Sequence, residues 1–209
     1  MFKESIYLIG AGSHAKVVMT TLEACGIGCK GIFDDDESLR GEEVWSVPIL
    51  GTTYDIPDSE DVVAVIGIAS NKVRMEIASR FKNITWPVII HPLSVVHSSV
   101  RIGAGAVIAA GCVIQADTVI GCHSIINTAV VVDHDCQIGN FCHLAPRTCI
   151  ADGVTMGDGA FLGIGSVVVP YVNVGAGAVI GAGSTVVSNL EQDGMYLGSP
   201  ARRMPKVSS

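Results

Sequence analysis

Large rings are scarce in this chain: aromatic residues make up 5% of it, so a core of stacked Phe, Tyr and Trp is excluded. Basic residues are the minority charge, 13 Lys and Arg against 20 Asp and Glu, for a net charge of -7. A duplex-binding surface needs clustered cations to neutralise phosphates, so nucleic acid is excluded as a partner. No uncharged apolar run is long enough for a bilayer, because Gly, Ser, Thr and Asn interrupt the hydrophobic second half at close intervals. The first twelve residues carry Lys3 and Glu4 before a short apolar run ending in glycines, which lacks the layout of a secretory signal. The expectation is a cytoplasmic protein with no membrane partner. No CxxC pair occurs, Cys25 and Cys29 lack zinc-knuckle spacing, and the cysteine count of 7 is odd. Reduced cysteines acting as small hydrophobes fit that pattern better than a disulfide framework.

What is present is 49% hydrophobic and includes 24 glycines, a composition suited to Val, Ile, Ala and close backbone approach in a regular, thin architecture. Up to residue 92 short β-branched runs at residues 6–9, 30–33, 62–68 and 88–90 alternate with helical stretches at 13–24 and 71–81. Ala15, Val18, Met19 and Leu22 fall at helical spacing, and Ser13 stands where it could cap the first helix. Strand and helix in alternation predict a small parallel sheet with right-handed crossovers, a Rossmann-like α/β domain over residues 1–92.

Beyond Val96 the period changes to six. Every sixth residue from Val96 through Ile102, Ile108 and onwards to Val186 is aliphatic, sixteen positions without an exception. Four residues after many of them stands a small residue, as at Ala106, Cys112, Thr118, Ser124, Cys136 and Thr148, and Gly often follows the aliphatic directly, as at Gly103, Gly121, Gly139 and Gly157. A repeat this short is a hexapeptide signature: each hexad makes one side of a triangular coil, three close a turn, and the aliphatic points to the axis. This predicts a parallel β-helix of roughly five coils over residues 93–190, followed by a tail at 191–209. Cys112, Cys136 and Cys142 occupy inward positions and are read as packing, not as nucleophiles.

Outward positions of such a coil need no particular residue, so residues 127–146, NTAVVVDHDCQIGNFCHLAP, stand out by gathering Asn127, Asp133, His134, Asp135 and His143. An imidazole with an adjacent carboxylate is held in one tautomer and made a better base, as deprotonation of an attacking amine or hydroxyl requires. Near the start, Gly10, Gly12 and Ala15 satisfy GxGxxG/A after a strand, with Asp34 a little over twenty residues on at the end of the next strand. Backbone N–H groups at that helix start could receive phosphate. A NAD-dependent oxidoreductase is one reading of this. Against it, the domain ends after about four strands, half of a dinucleotide site, which suits a nucleotide diphosphate sugar.

With LIGAGSHAKVV, FDDD, IGIASNKVR, IIHP, NTAVVVDHD, GNFCHLAP and YLGSPARRM in that order over nearly its full length, the chain resembles the NeuD and PglD type of sugar O- and N-acetyltransferases. The resemblance implies a left-handed β-helix, a homotrimer, and acetyl transfer from acetyl-CoA to a nucleotide-linked amino sugar, with no metal. His134 is then the general base, with Asp135 orienting it and Asp133 as rival. The resemblance further implies that Asn127 helps place the sugar and that His143 lies near the thioester. Backbone N–H groups around Asp152 and Gly153 would donate to the acetyl carbonyl. Gly10, Gly12, Ser13, His14, Asp34, Asp35 and Asn71 would line the nucleotide pocket, with Lys16 or Arg74 meeting the diphosphate. Gly163 and Gly181 are candidate walls for the pantetheine arm, since the missing side chain permits close approach. Acetylation of nitrogen is expected because the likeness is nearer to the N-acetylating members; oxygen, as in a sialic acid O-acetyltransferase, is the alternative. A γ-type carbonic anhydrase, holding zinc through His123, His134 and His143, is a rival of another class, and an inactive binding or scaffold trimer is a third.

Overall fold

The computed structural model describes residues 6–205, so Lys3 and Glu4 lie outside the described residues. Its first unit is a five-stranded sheet. β1 (Ile6–Ile9), β2 (Cys29–Phe33), β3 (Glu43–Val44), β4 (Val47–Gly51) and β5 (Ala64–Ile66) stand in the order β3-β4-β2-β1-β5. All neighbours are parallel except β3 and β4, which form an antiparallel hairpin. α1 (Ser13–Ala24) covers one face of this sheet through Ala15, Val18 and Leu22, and α2 (Asn71–Arg80) the other through Ile77. The β3–β4 hairpin is absent from the sequence expectation, because β3 is two residues long and Pro48 sits inside β4.

The second unit is a left-handed parallel β-helix, as the six-residue period requires. Its strands are two-residue rungs stacked in three sheets. Face 1 contains Ile125–Ile126, His143–Leu144 and Phe161–Leu162; face 2 Val113–Ile114, Val131–Val132 and Cys149–Ile150; face 3 Val119–Ile120, Gln137–Ile138 and Thr155–Met156. The second residue of each rung points to the axis, and one continuous core runs from Ala106 and Ile108 to Ile180 and Val186. Cys112, Cys136 and Cys142 are buried in it, as inward packing demands. Residues 88–90, expected in the first sheet, instead form a rung, Ile89–Ile90, that pairs with Val107–Ile108 on face 1. Met195–Leu197, in the expected tail, likewise extends face 1 by pairing with Val179–Ile180.

Corners follow one rule. From Ile102 to Ile180 the residue three after each axial aliphatic adopts a left-handed conformation, as at Gly105, Gly111, Asp117, His123, Ala129, Asp135, Phe141 and Arg147. At most corners its N–H donates to a carbonyl one rung below, for example Asp135 to Ala116 at 3.0 Å and His123 to Ala104 at 2.9 Å; at Asp117 it donates to the Ser99 hydroxyl instead. The glycine that follows the aliphatic has a different cause: a Cβ on Gly121 or Gly163 would come within 2.5 or 2.6 Å of backbone nitrogen in the next rung.

The two units share a seam. Val107 on face 1 belongs to the core of the first domain, with Ile89, Leu8 and Val18. Arg74 of α2 is 1% exposed. Its guanidinium donates to the carbonyls of Ile68 and Ala69, to Asn71 Oδ1, and across the seam to the carbonyls of His123, Phe141 and Cys142 at 2.9–3.1 Å.

Candidate active site

His134 stands on the corner between faces 2 and 3, just before the left-handed Asp135. That conformation turns the carboxylate back onto the preceding ring, and Asp135 Oδ2 accepts from His134 Nδ1 at 2.7 Å. Asp133 takes a different part, accepting the His134 backbone N–H at 2.8 Å. A carboxylate at Nδ1 fixes the tautomer and leaves Nε2 with a free lone pair facing solvent, the side chain being 52% exposed. The Asp135 hydrogen bond, with the charges of Asp133 and Asp152, raises the imidazole pKa above its ordinary value.

The second cluster lies on face 1, under the first domain. His143 and Asn127 are buried, and Asn127 Nδ2 donates to His143 Nε2 at 3.1 Å. The other ring nitrogen lies 3.2 Å from the carbonyl of Ala69. A carbonyl only accepts, so the proton sits on Nδ1 and the ring is neutral. Burial first, then the nearby Arg74 charge, lowers the His143 pKa to about 4. His14 packs beside it with ring centroids 5.7 Å apart, and its pKa too is lowered to about 4 by burial and Arg74. Above the cluster opens a groove of about 850 Å³, lined by Ala69, Asn71, Met75, His143, Phe161 and Ile164 among others. Apolar side chains dominate its wall, which fits the thin chain of a pantetheine arm. His134 is not part of that lining; within one chain, base and groove sit on different corners.

At the carboxyl ends of the sheet strands stand Gly10, Gly12, Asp34 and Asp35 of the expected nucleotide residues, while His14 packs against His143. Gly12 precedes α1 with open space where a Cβ would stand, whereas Gly10 has φ +103° and lies against Ile68. Asp34 Oδ2 accepts from Ala11 N–H at 2.7 Å. Asp35 accepts from Thr53. This edge is the crevice where open α/β sheets bind ligands.

Several expectations change in the structure. Ser13 does not cap α1: the cap position is Gly12, with no side-chain hydrogen bond. Arg74 cannot meet a diphosphate, since all five of its N–H groups are engaged in the seam. Asn71 lines the groove, but its amide donates to the carbonyls of Gly159 and Ala160 and its oxygen accepts from Arg74. The Gly153 N–H donates to the His134 carbonyl at 3.1 Å under the corner rule, so it is not free for an acetyl oxygen. Gly163 is glycine because the backbone of the next rung, at Ala182, leaves no room for a Cβ, and at Gly181 the Leu197 side chain fills the space; no external ligand is needed to explain them. Asp152 remains beside the base as a charge acting on His134. Tyr171, overlooked in the sequence, stands one rung above Gly153, and its ring lies 2.5 Å from where a Gly153 Cβ would be. The eighteen-residue spacing of positions 135, 153 and 171 is the signal that would have located it. His123 stacks on Phe141 at 5.2 Å, while His134 stands on another corner, so the three histidines weighed as zinc ligands are apart within the chain. Among the described residues no group of three His, Cys, Asp or Glu is arranged to hold a metal ion.

Comparison with known proteins agrees with these features. A family model described as the PglD N-terminal domain matches residues 5–81. A variant of the perosamine N-acetyltransferase of Caulobacter crescentus, solved with CoA and GDP-perosamine, superposes with a TM-score of 0.91 at 37% identity over 97% of both chains. The acetyltransferase domain of PglB from Neisseria gonorrhoeae, solved with acetyl coenzyme A, gives a TM-score of 0.88 at 30% identity over 97% of this chain and 99% of that one. An uncharacterized protein of Acanthamoeba polyphaga mimivirus is 34% identical over 100 residues, which is 48% of this chain and 20% of that protein. The chain therefore spans about a fifth of the length of this curated relative.

Proposed function

The chain belongs to the NeuD/PglD-type family of sugar acetyltransferases, and from that premise we propose that it N-acetylates the amino group of a nucleotide-linked amino sugar, with acetyl-CoA as donor. The observation that carries this reading is the free, acid-paired imidazole of His134, 2.7 Å from Asp135. As the sugar amine attacks the thioester carbonyl, His134 Nε2 accepts the amine proton, the new C–N bond forms, and the C–S bond breaks to release CoA thiolate. Asp135 holds Nδ1–H and offsets the charge that the ring gains. The acetyl-CoA supplies the acyl group and the leaving thiolate; no cysteine is required, and the buried thiols of Cys136 and Cys142 have pKa values raised to about 11 and 12 by desolvation.

The active unit is a homotrimer in this reading. Face 2 presents Val95, Val131, Cys149 and Val167 outwards, all exposed, while face 3 presents Arg101, Gln137, Thr155 and Asn173. An apolar sheet face of this length favours burial against a copy of itself. Three copies packed about face 2 would bring the His134 corner of one against the opposite corner of the next, where Pro146 and Ile164 border the groove. Base and acyl donor would then meet between subunits. Asn127 and His143 form the neutral floor of that site, and Gly12, Asp34 and Asp35 the nucleotide edge. Among the described residues no helix is long and apolar enough to cross a membrane, and we place the reaction in the cytoplasm.

The test is thiol release from acetyl-CoA with GDP-, UDP-, dTDP- and CMP-linked amino sugars, each beside its hydroxyl analogue. The amino compound of at least one pair is expected to turn over. Turnover of the hydroxyl analogues alone would make the enzyme an O-acetyltransferase, and no thiol release from any of them would refute the proposal.

A further inference from the structure

The carboxyl edge of the sheet is a row of loops in the order β5, β1, β2, β4. The first loop reaches the solenoid groove at Ala69 and Asn71. Asp34 ties the second loop to the third by accepting the Ala11 N–H at 2.7 Å. Asp35 points the other way and ties the third to the fourth, accepting the Thr53 N–H at 2.8 Å and its hydroxyl at 2.5 Å. At the far end of this rim Tyr54 is 79% exposed. The Arg80 guanidinium lies over its ring, 4.7 Å from the centroid, and is itself 3.6 Å from Asp35. Tyr54 adds nothing to the core, yet one face of the ring is held by a cation and the other is open.

We infer that Tyr54, backed by Arg80, is the stacking platform for the nucleobase of the nucleotide-linked substrate. The inference rests on the proposed function and extends it to the recognition of the base. A substrate whose sugar enters the groove past Ala69 lays its diphosphate at the start of α1 and its ribose at Asp34. The base then falls one loop further on, at Tyr54. From β5 to β4 the rim crosses three strand spacings of about 4.8 Å each, a span of the same order as an extended nucleoside diphosphate. Stacking on an aromatic ring accepts any base, since each has a π-face, and an arginine behind the ring steadies the platform.

Calorimetric titration of the full chain with GDP, UDP and dTDP, comparing wild type, Tyr54→Ala and Tyr54→Phe, tests the platform. For the diphosphate that wild type binds most tightly, Tyr54→Ala is expected to weaken binding about tenfold or more. Tyr54→Phe should stay within about twofold, because it keeps the ring. The thermal midpoint and the KM for acetyl-CoA should be unchanged in both, as the ring is exposed and distant from the groove. Binding by Tyr54→Ala within about twofold of wild type would overturn the platform while leaving the acetyltransferase reading intact. Failure of wild type to bind any of the three nucleotides would overturn the platform, while thiol release with the four-nucleotide sugar panel decides the acetyltransferase reading separately.

Discussion

Replacing Arg74 by Met should loosen the junction between the two units and lower the melting temperature by about 10 °C. Met keeps most of the side-chain length, so the packing lost is small. What goes is the set of charge-assisted hydrogen bonds to Ile68, Ala69, Asn71, His123, Phe141 and Cys142, three of which belong to the solenoid. Six such bonds at about 1.5–3 kcal/mol each give a gross sum above ~9 kcal/mol. Burial of the guanidinium opposes this, as its pKa, lowered to about 10 by desolvation, attests. Losing the donors strips neutral buried acceptors of these partners, at about 1–3 kcal/mol each, and the relieved desolvation of the guanidinium offsets most of that sum. Taking ~4 kcal/mol and about 2.5 °C per kcal/mol for a chain of this size gives the ~10 °C. Thermal unfolding read by circular dichroism measures it, and amide exchange in α2 should speed up in the same variant. Arg74→Lys should fall nearly as far, because three donors on one nitrogen cannot span both sides of the seam. A midpoint within about 2 °C of wild type for Arg74→Met would refute the reasoning. So would a stable Arg74→Lys with a raised KM for the nucleotide sugar, since that is how a phosphate ligand behaves.

His134→Ala should cut kcat by about a hundredfold or more with an unchanged melting curve, the ring being exposed; near-normal turnover would remove it as the base. Because the Asp135 hydrogen bond raises the His134 pKa, Asp135→Asn should move the acid limb of the kcat/KM profile to lower pH while reducing its plateau, and an unmoved limb would shift the orienting role elsewhere. His14, His123 and His143 each have a pKa lowered to about 4 by burial and by Arg74. The unfolded chain takes up these protons below about pH 6.5 while the folded chain resists them, so stability is complete above that pH and declines towards pH 4. The slope approaches ~1.4 kcal/mol per pH unit for each histidine; melting temperatures measured from pH 4 to 7 check it, and His123→Asn should flatten the curve. Gly163→Ala should destabilise the solenoid, whereas Gly12→Ala should leave the melting temperature alone and weaken nucleoside diphosphate binding. Equal melting temperatures for Gly163→Ala and wild type would count against the stacking argument.

The solenoid was legible because its cause is strictly local: each axial aliphatic must recur every six residues or the core opens, so sixteen positions carry the signal independently. His134 and Asp135 were legible for a related reason, since adjacency in sequence becomes adjacency in space once the corner is left-handed. The first domain was read less completely. The β3–β4 hairpin turns through Trp45 and Ser46, both with positive φ and without the glycine that usually marks such turns. The rung at Ile89–Ile90 has the composition of a sheet strand, and only its pairing partner eighteen residues on assigns it to the solenoid. Arg74 was misread because nothing in the text of α2 says that six acceptors converge on it; five of them are backbone carbonyls, which leave no trace in a sequence.

The glycines show how the repeat constrains the chemistry. A residue such as Gly163 looks like room for a ligand, yet the space is already filled by the next rung of the same chain. The left-handed corner N–H groups look like oxyanion donors, yet the ladder takes them at rung after rung, Gly153 to His134 and Tyr171 to Asp152 included. A stacked solenoid therefore has little backbone to lend to catalysis, and function must rest on side chains that leave the corners. His134 leaves one corner and the groove borders another, separated by the apolar face 2. Neither corner offers the partner that the other needs within one chain; in the proposed trimer two copies would supply it, with the outward valines of face 2 as the packing surface.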